Sequence, residues 1–341
     1  MSTIFLFWEA FPLNRDFALG CVCIALATMI FSTMEVLLKL PAVAGAFHPL
    51  QITMERFLVG GLCLIPVAAH ALKKRGIRLT AADLRYFALT GLLDVPLGMV
   101  FYQLAITCGQ ANIVAVIFSG NPIFVTMLAF LILHEAIHWN NILALVFEIL
   151  GILAIMNPFG GGSFSVKSIL LTILAALFFA LYAVMGKKKT AQVGSIVVTC
   201  CSFLFGAAEL FLILLLGRTG PGRAFFGAVG LELFQDVPFL QGINLTTLPY
   251  FLFIGIVNCA AGYVFHMLAI EKTSATHGSL VFFFKPILAP IVALAVLGEA
   301  ITSPIILGIV MFLIGSLLGI LPEALRVRKA SRALEDAAPR P

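Results

Sequence analysis

The chain has 341 residues, of which 61% are hydrophobic and 11% are charged, and its formal net charge is +5. Soluble domains carry roughly 25% charged residues, so this composition excludes a soluble fold and indicates an integral membrane protein. The basic residues fall in short loops and in the C-terminal tail, which favours a role in membrane topology over nucleic-acid binding. The seven cysteines lie in or beside apolar runs without CxxC spacing, so we expect packing roles for them.

Apolar runs of about 20 residues follow one another along the chain, and each has the length that crosses a hydrocarbon core of roughly 30 Å. Because they lack a period-two alternation, they are predicted to be helices rather than barrel strands. The ten predicted spans are 17–40, 50–72, 84–107, 111–133, 138–157, 166–186, 195–217, 248–270, 275–297 and 302–321. The predicted divisions are an interfacial lead-in (1–16), a first five-helix repeat (17–157), a second five-helix repeat (166–321) with a long outer loop (218–247), and a basic cytosolic tail (322–341).

The two halves of the chain share a sequence repeat. The stretch 118–137 aligns without gaps with 282–301, so that Pro122 pairs with Pro286 at an offset of 164 residues (286 − 122 = 164). Each half contains an odd number of spans, so equivalent helices cross the membrane in opposite directions. The sequence therefore predicts an all-α membrane fold of ten helices in two inverted-topology repeats.

Lysine and arginine are distributed unevenly between the two sides of the predicted bundle. With the N-terminus placed inside, 15 of them fall in the inner loops and the tail, and 3 fall in the outer loops. The positive-inside rule then places both termini in the cytoplasm. The short loops favour a bacterial or archaeal inner membrane.

The proline-bearing helices and the turns that follow them resemble a known family. The paired blocks NPIFVTMLAFLILHE and KPILAPIVALAVLGE are similar to those of the drug/metabolite transporter superfamily with EamA-type domains, and Arg56 matches an arginine that is usual there. His134 departs from the family, which usually has glycine at this turn. The resemblance implies a central cavity lined by spans 1–4 and 6–9, with spans 5 and 10 peripheral. It also implies alternating access for small organic solutes, no enzymatic activity and no cofactor.

Four polar residues are expected to meet at mid-membrane. Ionisable side chains within spans cost roughly 2.5–3.5 kcal/mol each, so each needs a partner, a cavity or a function. Asp94 and Asn258 are repeat equivalents, as are Asn121 and Lys285, and all four lie ten residues into their spans. We expect Lys285 to bind a carboxylate or phosphate, and Asp94 to bind an ammonium group or carry a coupling proton. The alternative is that Asp94 and Lys285 form an ion pair that only holds the halves together.

Other candidate residues lie on neighbouring spans. Glu35 and Arg56 are predicted at similar depth on adjacent helices, where they can pair either as an outer gate or as a structural link. Tyr102 and His266 could offer hydrogen bonds or aromatic faces to a substrate. Glu209 is a candidate proton carrier. Glu148, in the middle of span five, is a homodimer contact, a neutral carboxylic acid, or a sign that the predicted topology is wrong at this span.

An enzymatic alternative arises from residues 134–138, which read HEAIH and match the HExxH pattern of zinc metalloproteases. The equivalent stretch 298–302 reads GEAIT, which keeps the glutamate and has neither histidine. The glutamate is therefore assigned to the turn, and no metal site is expected. The favoured function is secondary transport of a small polar metabolite, anionic or zwitterionic, such as an amino acid or related organic acid. Protons are the expected coupling ion.

Overall fold

The computed structural model describes residues 15–134, 139–156, 165–282, 285–315 and 317–318. Within these ranges the chain is all helical and has no strand. In the described part of the chain, seven helices are long and apolar enough to cross a membrane, and three shorter apolar helices accompany them. The chain is therefore a multi-pass membrane protein, and the number of ten crossings stays a prediction.

The helices are numbered here in chain order. They are α1 (Arg15–Phe31), α2 (Met34–Lys39), α3 (Pro41–Ala44), α4 (Pro49–Arg75), α5 (Ala81–Leu92), α6 (Val100–Cys108), α7 (Ala111–Phe118), α8 (Asn121–Leu128), α9 (Trp139–Met156), α10 (Val166–Val193), α11 (Ser195–Leu216), α12 (Gly220–Ala228), α13 (Leu248–Leu252), α14 (Gly262–Lys272), α15 (Ala275–Gly278), α16 (Lys285–Leu297) and α17 (Ser303–Gly315). The π-helical segments are Leu93–Met99, Ala129–Leu133 and Phe253–Ala261, and the 3₁₀ turns are Glu232–Phe234 and Ser279–Phe282.

The π-helical segments place polar residues in the middle of apolar spans. Asp94 lies in the segment between α5 and α6, and Asn258 lies in the segment between α13 and α14. These two residues are repeat equivalents (258 − 94 = 164), so the same irregularity occurs in both halves. Pro96 has no backbone N–H, so one bond of the helical ladder is absent in the segment around Asp94.

Two further spans contain a proline directly after a polar residue. α8 starts at Asn121, which is followed by Pro122, and α16 is described from Lys285, which is followed by Pro286. Proline is suited to the first turn of a helix, where its missing N–H has no partner to lose. Pro122 therefore lies in the first turn of a new helix within the apolar layer, directly after Asn121.

The first span departs from the straight helix predicted over 17–40. α1 ends at Phe31 and α2 begins at Met34. At the break, Asn258 Nδ2 donates to Ile30 O at 2.9 Å and to Thr33 Oγ1 at 3.0 Å. An amide side chain from the second half thus binds the backbone carbonyl at the point where the helix is interrupted, which is a recognised cause of helix kinks.

The two halves pack against each other through several pairs of helices. α11 packs on α4 and α5, α14 packs on α1, and α16 packs on α7 and α2. The largest apolar core runs through both halves and includes Phe31, Phe57, Phe179, Phe203 and Tyr263. The centre of the molecule is therefore an interface between the halves, and groups from both can meet there.

α9 and α17 pack on each other at the edge of the bundle. A Cβ added to Gly151 would lie 3.1 Å from Gly308 O, so the two backbones are in close contact. α9 exposes a face of large apolar side chains, as expected for contact with lipid. These are Ile142, Leu143, Val146, Ile149, Leu150 and Leu153. The arrangement fits the peripheral position that the family resemblance implies for spans 5 and 10.

α10 continues seven residues beyond the predicted span 166–186 and ends at Val193 (193 − 186 = 7). Two lysines in this extension reach polar partners with their long side chains. Lys187 Nζ donates to Ile270 O and, at 3.1 Å, to Thr273 O. Lys189 Nζ contacts Asp83 Oδ1 at 2.6 Å.

The crossing of α5 and α11 depends on two glycines, which generates a first prediction. A Cβ on Gly206 would lie 2.6 Å from Gly91 O, and this contact is with rigid backbone. We expect Gly206→Ala to destabilise the protein by about 1–3 kcal/mol, because the helices must separate. Thermal unfolding of the detergent-purified variant, followed with a thiol-reactive dye, measures the loss. Gly220→Ala is the control, since nothing lies within 4 Å of its added Cβ, and equal melting temperatures for the two variants would contradict the prediction.

Candidate functional site

A small closed chamber lies at the centre of the bundle, where helices from both halves meet. Its volume is about 20 Å³, which is enough for one water molecule. Its lining consists of phenylalanine and methionine side chains, two tyrosines and one lysine. The lining residues are Phe31, Met34, Met99, Tyr102, Phe118, Phe179, Tyr263 and Lys285. All of these residues are buried, and Lys285 is the charged residue among the described residues of the lining.

Lys285 forms a buried ion pair with Glu35. The distance between Lys285 Nζ and Glu35 Oε1 is 2.5 Å, and the two side chains are 2% and 1% exposed. The ammonium group also lies 4.9 Å from the ring centre of Phe118 and 5.7 Å from that of Tyr102, within the range of cation–π attraction. Apart from the ion pair, neither oxygen of Glu35 has a hydrogen-bond partner.

A second pair of opposite charges lies close to the chamber. Arg56 and Asp94 are both fully buried. Arg56 Nη1 is 3.3 Å from Met34 Sδ, while its Nε and Nη2 and both oxygens of Asp94 have no hydrogen-bond partner. Buried polar groups in folded proteins are nearly always bonded, so unpartnered groups of this kind indicate where water or a ligand binds.

The ion pairs differ from those expected from the sequence. Lys285 binds Glu35, so the alternative of an Asp94–Lys285 ion pair is wrong, and the predicted Glu35–Arg56 pair does not form among the described residues. Residue counting along a straight helix placed Glu35 in the outer third of its span. In the structure Glu35 lies on α2, after the break at Phe31, and its carboxylate contacts Lys285.

The two asparagines of the expected cluster bind backbone at the helix interruptions. Asn121 Nδ2 donates to Ala176 O at 2.7 Å, and Asn258 bonds the break between α1 and α2 as described above. The Oδ1 atom of each has no partner. Neither asparagine is part of the chamber lining, so the structure assigns them to holding helices from opposite halves together.

The remaining candidate residues divide between the chamber and its surroundings. Tyr102 lines the chamber and lies close enough to Glu35 to interact with it. His266 stacks on Phe179 at 5.3 Å between ring centres, and neither of its ring nitrogens has a partner. Glu209 is half-buried on α11 and is not part of the lining. The side chain of Glu148 lies outside the described residues, so the homodimer contact stays a prediction.

The sequence reasoning missed the phenylalanines that surround Lys285. Phe118 and Phe282 are repeat equivalents (282 − 118 = 164), and Phe31 and Phe179 are equivalents in the first helix of each half (179 − 31 = 148). Phe282 is in ring contact with the other three, at 6.2 Å between ring centres for Phe31, and Phe118 also contacts Phe179 at 5.5 Å. The recurrence of phenylalanine at equivalent positions was the signal that could have found them.

The HExxH alternative loses support at its first histidine. The helical segment before it ends at Leu133, and His134 has a φ of 57°, in the left-handed region. Its repeat equivalent Gly298 has a φ of 68°, which explains the glycine usual at this turn. Residues 135–138 lie outside the described part of the chain. In the part that is described, no group of three or more His, Cys, Asp or Glu side chains could hold a metal ion.

Equivalent lysines bind backbone carbonyls at opposite ends of the bundle. At one end Lys39 Nζ donates to Gly109 O at 2.5 Å, and at the other Lys187 Nζ donates to Thr273 O at 3.1 Å. Lys187 is the counterpart of Lys39 (187 − 39 = 148), and Thr273 is the counterpart of Gly109 (273 − 109 = 164). The chamber therefore lies between two contacts of the same design.

Comparison with known proteins agrees with this architecture. The sequence profile of the EamA-like transporter family matches residues 18–157 and 166–321. An uncharacterized transporter of Clostridium kluyveri is 34% identical over 304 residues, covering 88% of this chain and 92% of that one. A probable terminal-alkyne amino-acid exporter of Streptantibioticus cattleyicolor is 25% identical over 75% of this chain and 82% of its own length.

A solved crystal structure shares the fold with a TM-score of 0.62 and 16% sequence identity, covering 89% of this chain and 96% of that one. At this identity the likeness shows the fold alone. The family match covers both halves of the chain, and the described helices supply the membrane-spanning character that such a family requires. This chain belongs to the EamA-like transporter family and is a membrane transporter.

Proposed function

We propose that this chain is a secondary active transporter that moves a small anionic or zwitterionic metabolite across the cell inner membrane by alternating access, with both termini in the cytoplasm. The observation that carries the proposal is Lys285, which is 1% exposed and lines a closed chamber shared by both halves. An ionisable side chain at such a position marks a substrate pathway by default. No catalytic activity and no cofactor are part of the proposal.

The chemistry of Lys285 favours a substrate with a carboxylate. A lone buried charge is costly, so Lys285 must keep an anionic partner throughout the cycle. A substrate carboxylate can replace Glu35 on Lys285, and the exchange leaves the lysine paired. Glu35 then requires a positive partner of its own, which is either the ammonium group of the same substrate or a proton.

The balance of charges around the chamber favours a zwitterion over a dianion. Glu35 and Asp94 are two acids, and Arg56 and Lys285 are two bases, so the four formal charges cancel. A zwitterionic solute adds no net charge to this set and can contact both signs. The probable amino-acid exporter among the relatives supports the same class, amino acids or related organic acids.

Alternating access requires the closed chamber to open. At about 20 Å³ it cannot hold an amino acid, so transport needs helices from one half to move against the other. The contacts of Lys39 and Lys187 lie at opposite ends of the bundle and bridge different spans. We propose that these two contacts open in turn, and that the structure corresponds to the occluded state between the two openings.

Replacing Lys285 tests the substrate anchor. A ligand at 100 times its dissociation constant stabilises a protein by about 2.7 kcal/mol, which a thermal-shift screen of amino acids, organic acids, amines, nucleosides and nucleotide sugars resolves. We expect an anionic or zwitterionic class to stabilise the wild type and to have no effect on Lys285→Met, which removes the charge and retains the length. Lys167→Met, at an exposed lysine, is the matched control. Stabilisation that persists in Lys285→Met would refute this role.

The ion pair itself is tested by a double-mutant cycle. Removing one partner of a buried pair typically costs about 3–5 kcal/mol, because the other charge is left without a counter-ion. We expect Glu35→Gln and Lys285→Met each to lower thermal stability strongly. The double variant should be closer to the wild type than either single variant. Additive losses in the double variant would mean that the two side chains do not depend on each other.

Asp94 is proposed to carry the coupling proton. Asp94→Asn removes the titrating group and keeps the size of the side chain. We expect this variant to retain substrate binding in the thermal-shift assay and to lose the response of uptake to a pH gradient in proteoliposomes. Asn258→Asp, at the repeat equivalent, serves as a comparison because it adds an acid to the other half. A wild-type response to the gradient in Asp94→Asn would exclude Asp94 as the proton carrier.

A further inference from the structure

A second cavity lies at the Lys39 end of the bundle. It has a volume of about 270 Å³ and shares no lining residue with the central chamber. Its polar lining includes Lys39, Thr107, Cys108, Ser165 and Ser168. We refer to this cavity as the Lys39 vestibule. Drug-sized ligands occupy pockets of roughly 300–1,000 Å³, so the vestibule fits a smaller solute such as an amino acid or hydroxy acid.

We propose that the Lys39 vestibule is a second binding site for a small carboxylate-bearing solute, with Lys39 as the group that binds the carboxylate. The inference rests on the proposed function for its substrate class. It adds a site that the solute occupies before or after the central chamber. It also gives Lys39 a role in opening this end of the bundle.

Lys39 has the donor capacity that such a site requires. Its ammonium group donates to Gly109 O at 2.5 Å and to Glu299 Oε1 at 3.0 Å. A lysine has three donors, so one remains for a ligand. The side chain is 32% exposed, in contrast to the buried Lys285, and it lines the vestibule. A solute can therefore reach Lys39 without any rearrangement of the bundle centre.

Glu299 can release Lys39 without losing all of its partners. Ala111 N donates to Glu299 Oε1 at 3.0 Å, and Asn112 N donates to Oε2 at 2.9 Å. Both amides belong to the first turn of α7, whose partial positive charge favours an anion. The carboxylate is thus held by backbone donors whether or not Lys39 is present. A ligand carboxylate can compete for Lys39 at low cost to Glu299.

The serine hydroxyls of the vestibule complement the lysine. Ser165 Oγ accepts from Ser168 N at 3.2 Å, so its own hydroxyl hydrogen is free to donate. Ser168 Oγ donates to Ala105 O at 2.8 Å and keeps its lone pairs for accepting. The site therefore offers a cation for a carboxylate, together with an acceptor for a neighbouring ammonium or hydroxyl group.

When a ligand carboxylate binds Lys39, the ion pair between Lys39 on α2 and Glu299 in the turn after α16 is weakened.

Cys108 provides a direct probe, because its free thiol is exposed and lines the same vestibule. Two methanethiosulfonate reagents, one bearing a sulfonate and one a trimethylammonium group, each form a mixed disulfide with the thiol and release methanesulfinate. Mass spectrometry of the Cys108 peptide from the detergent-purified full chain gives both labelling rates. We expect the anionic reagent to be favoured, and the anionic-to-cationic rate ratio to fall at least about threefold in Lys39→Met, because one nearby positive charge is lost.

Three further variants make the measurement specific. Lys39→Arg keeps the charge and should keep the ratio, which guards against a folding defect in Lys39→Met. Glu299→Gln frees Lys39 from its counter-ion and should raise the ratio. Lys167→Met removes an exposed lysine next to Ser168 and should change the ratio little. A ratio unchanged in Lys39→Met, or lowered equally in Lys167→Met, would overturn the proposal.

Competition identifies the ligand class and separates this site from the central chamber. At constant ionic strength, we expect alanine and acetate to slow the labelling of Cys108 and choline to have no effect. The protection should persist in Lys285→Met, where the chamber is altered, and disappear in Lys39→Met. Protection lost in Lys285→Met would show that the ligand acts from the chamber and would reject the vestibule site. Failure of the Lys285 binding test leaves the charge ratio at Cys108 unaffected, so the two proposals fail separately.

Discussion

The ion pair between Lys285 and Glu35 is the interaction on which the centre of this molecule depends. Two charges without solvent contact are stable there only because each is within 2.5 Å of the other and because aromatic rings surround the ammonium group. The pair joins α2 of the first half to α16 of the second. It also sets the condition that any solute entering the chamber must meet, since the solute has to supply the charges that it displaces.

The helix interruptions explain how a bundle of apolar helices brings these charges together. Continuous helices would bond all their backbone groups internally and present apolar side chains to each other. Here the π-helical segment at Asp94, the helix start at Asn121 and the break after Phe31 each lie where a polar group meets the interface of the halves. Asn258 supports the break by bonding Ile30 O. Local irregularity of the backbone and buried polar chemistry therefore occur at the same places.

Much of this arrangement could be predicted from the sequence, and the limits have a physical cause. The apolar runs, the repeat offset and the prolines after Asn121 and Lys285 predict helices and interruptions because their effects are local. The pairing of Lys285 with Glu35 could not be predicted in this way. Glu35 follows a break at Ser32 and Thr33, where the sequence has neither proline nor glycine. At this break the side chain of Asn258, 225 residues away in the chain, donates to Thr33 Oγ1. Counting depth along a straight helix cannot include such a contact.

The four phenylalanines around Lys285 come in repeat-equivalent pairs, whereas the charges do not. The equivalent of Lys285 is Asn121, and the equivalent of Glu35 is Ala183 (183 − 35 = 148). The aromatic residues around the ion pair are therefore nearly symmetric between the two halves. The ion pair of Glu35 and Lys285 is not, because neither residue has a charged repeat equivalent. If the two halves exchange their conformations, the two resulting open states match in shape. They still differ in electrostatic energy, because the charges lie in different places. The electrostatic potential therefore differs between the two sides of the site. A solute with separated charges would bind differently from one side than from the other.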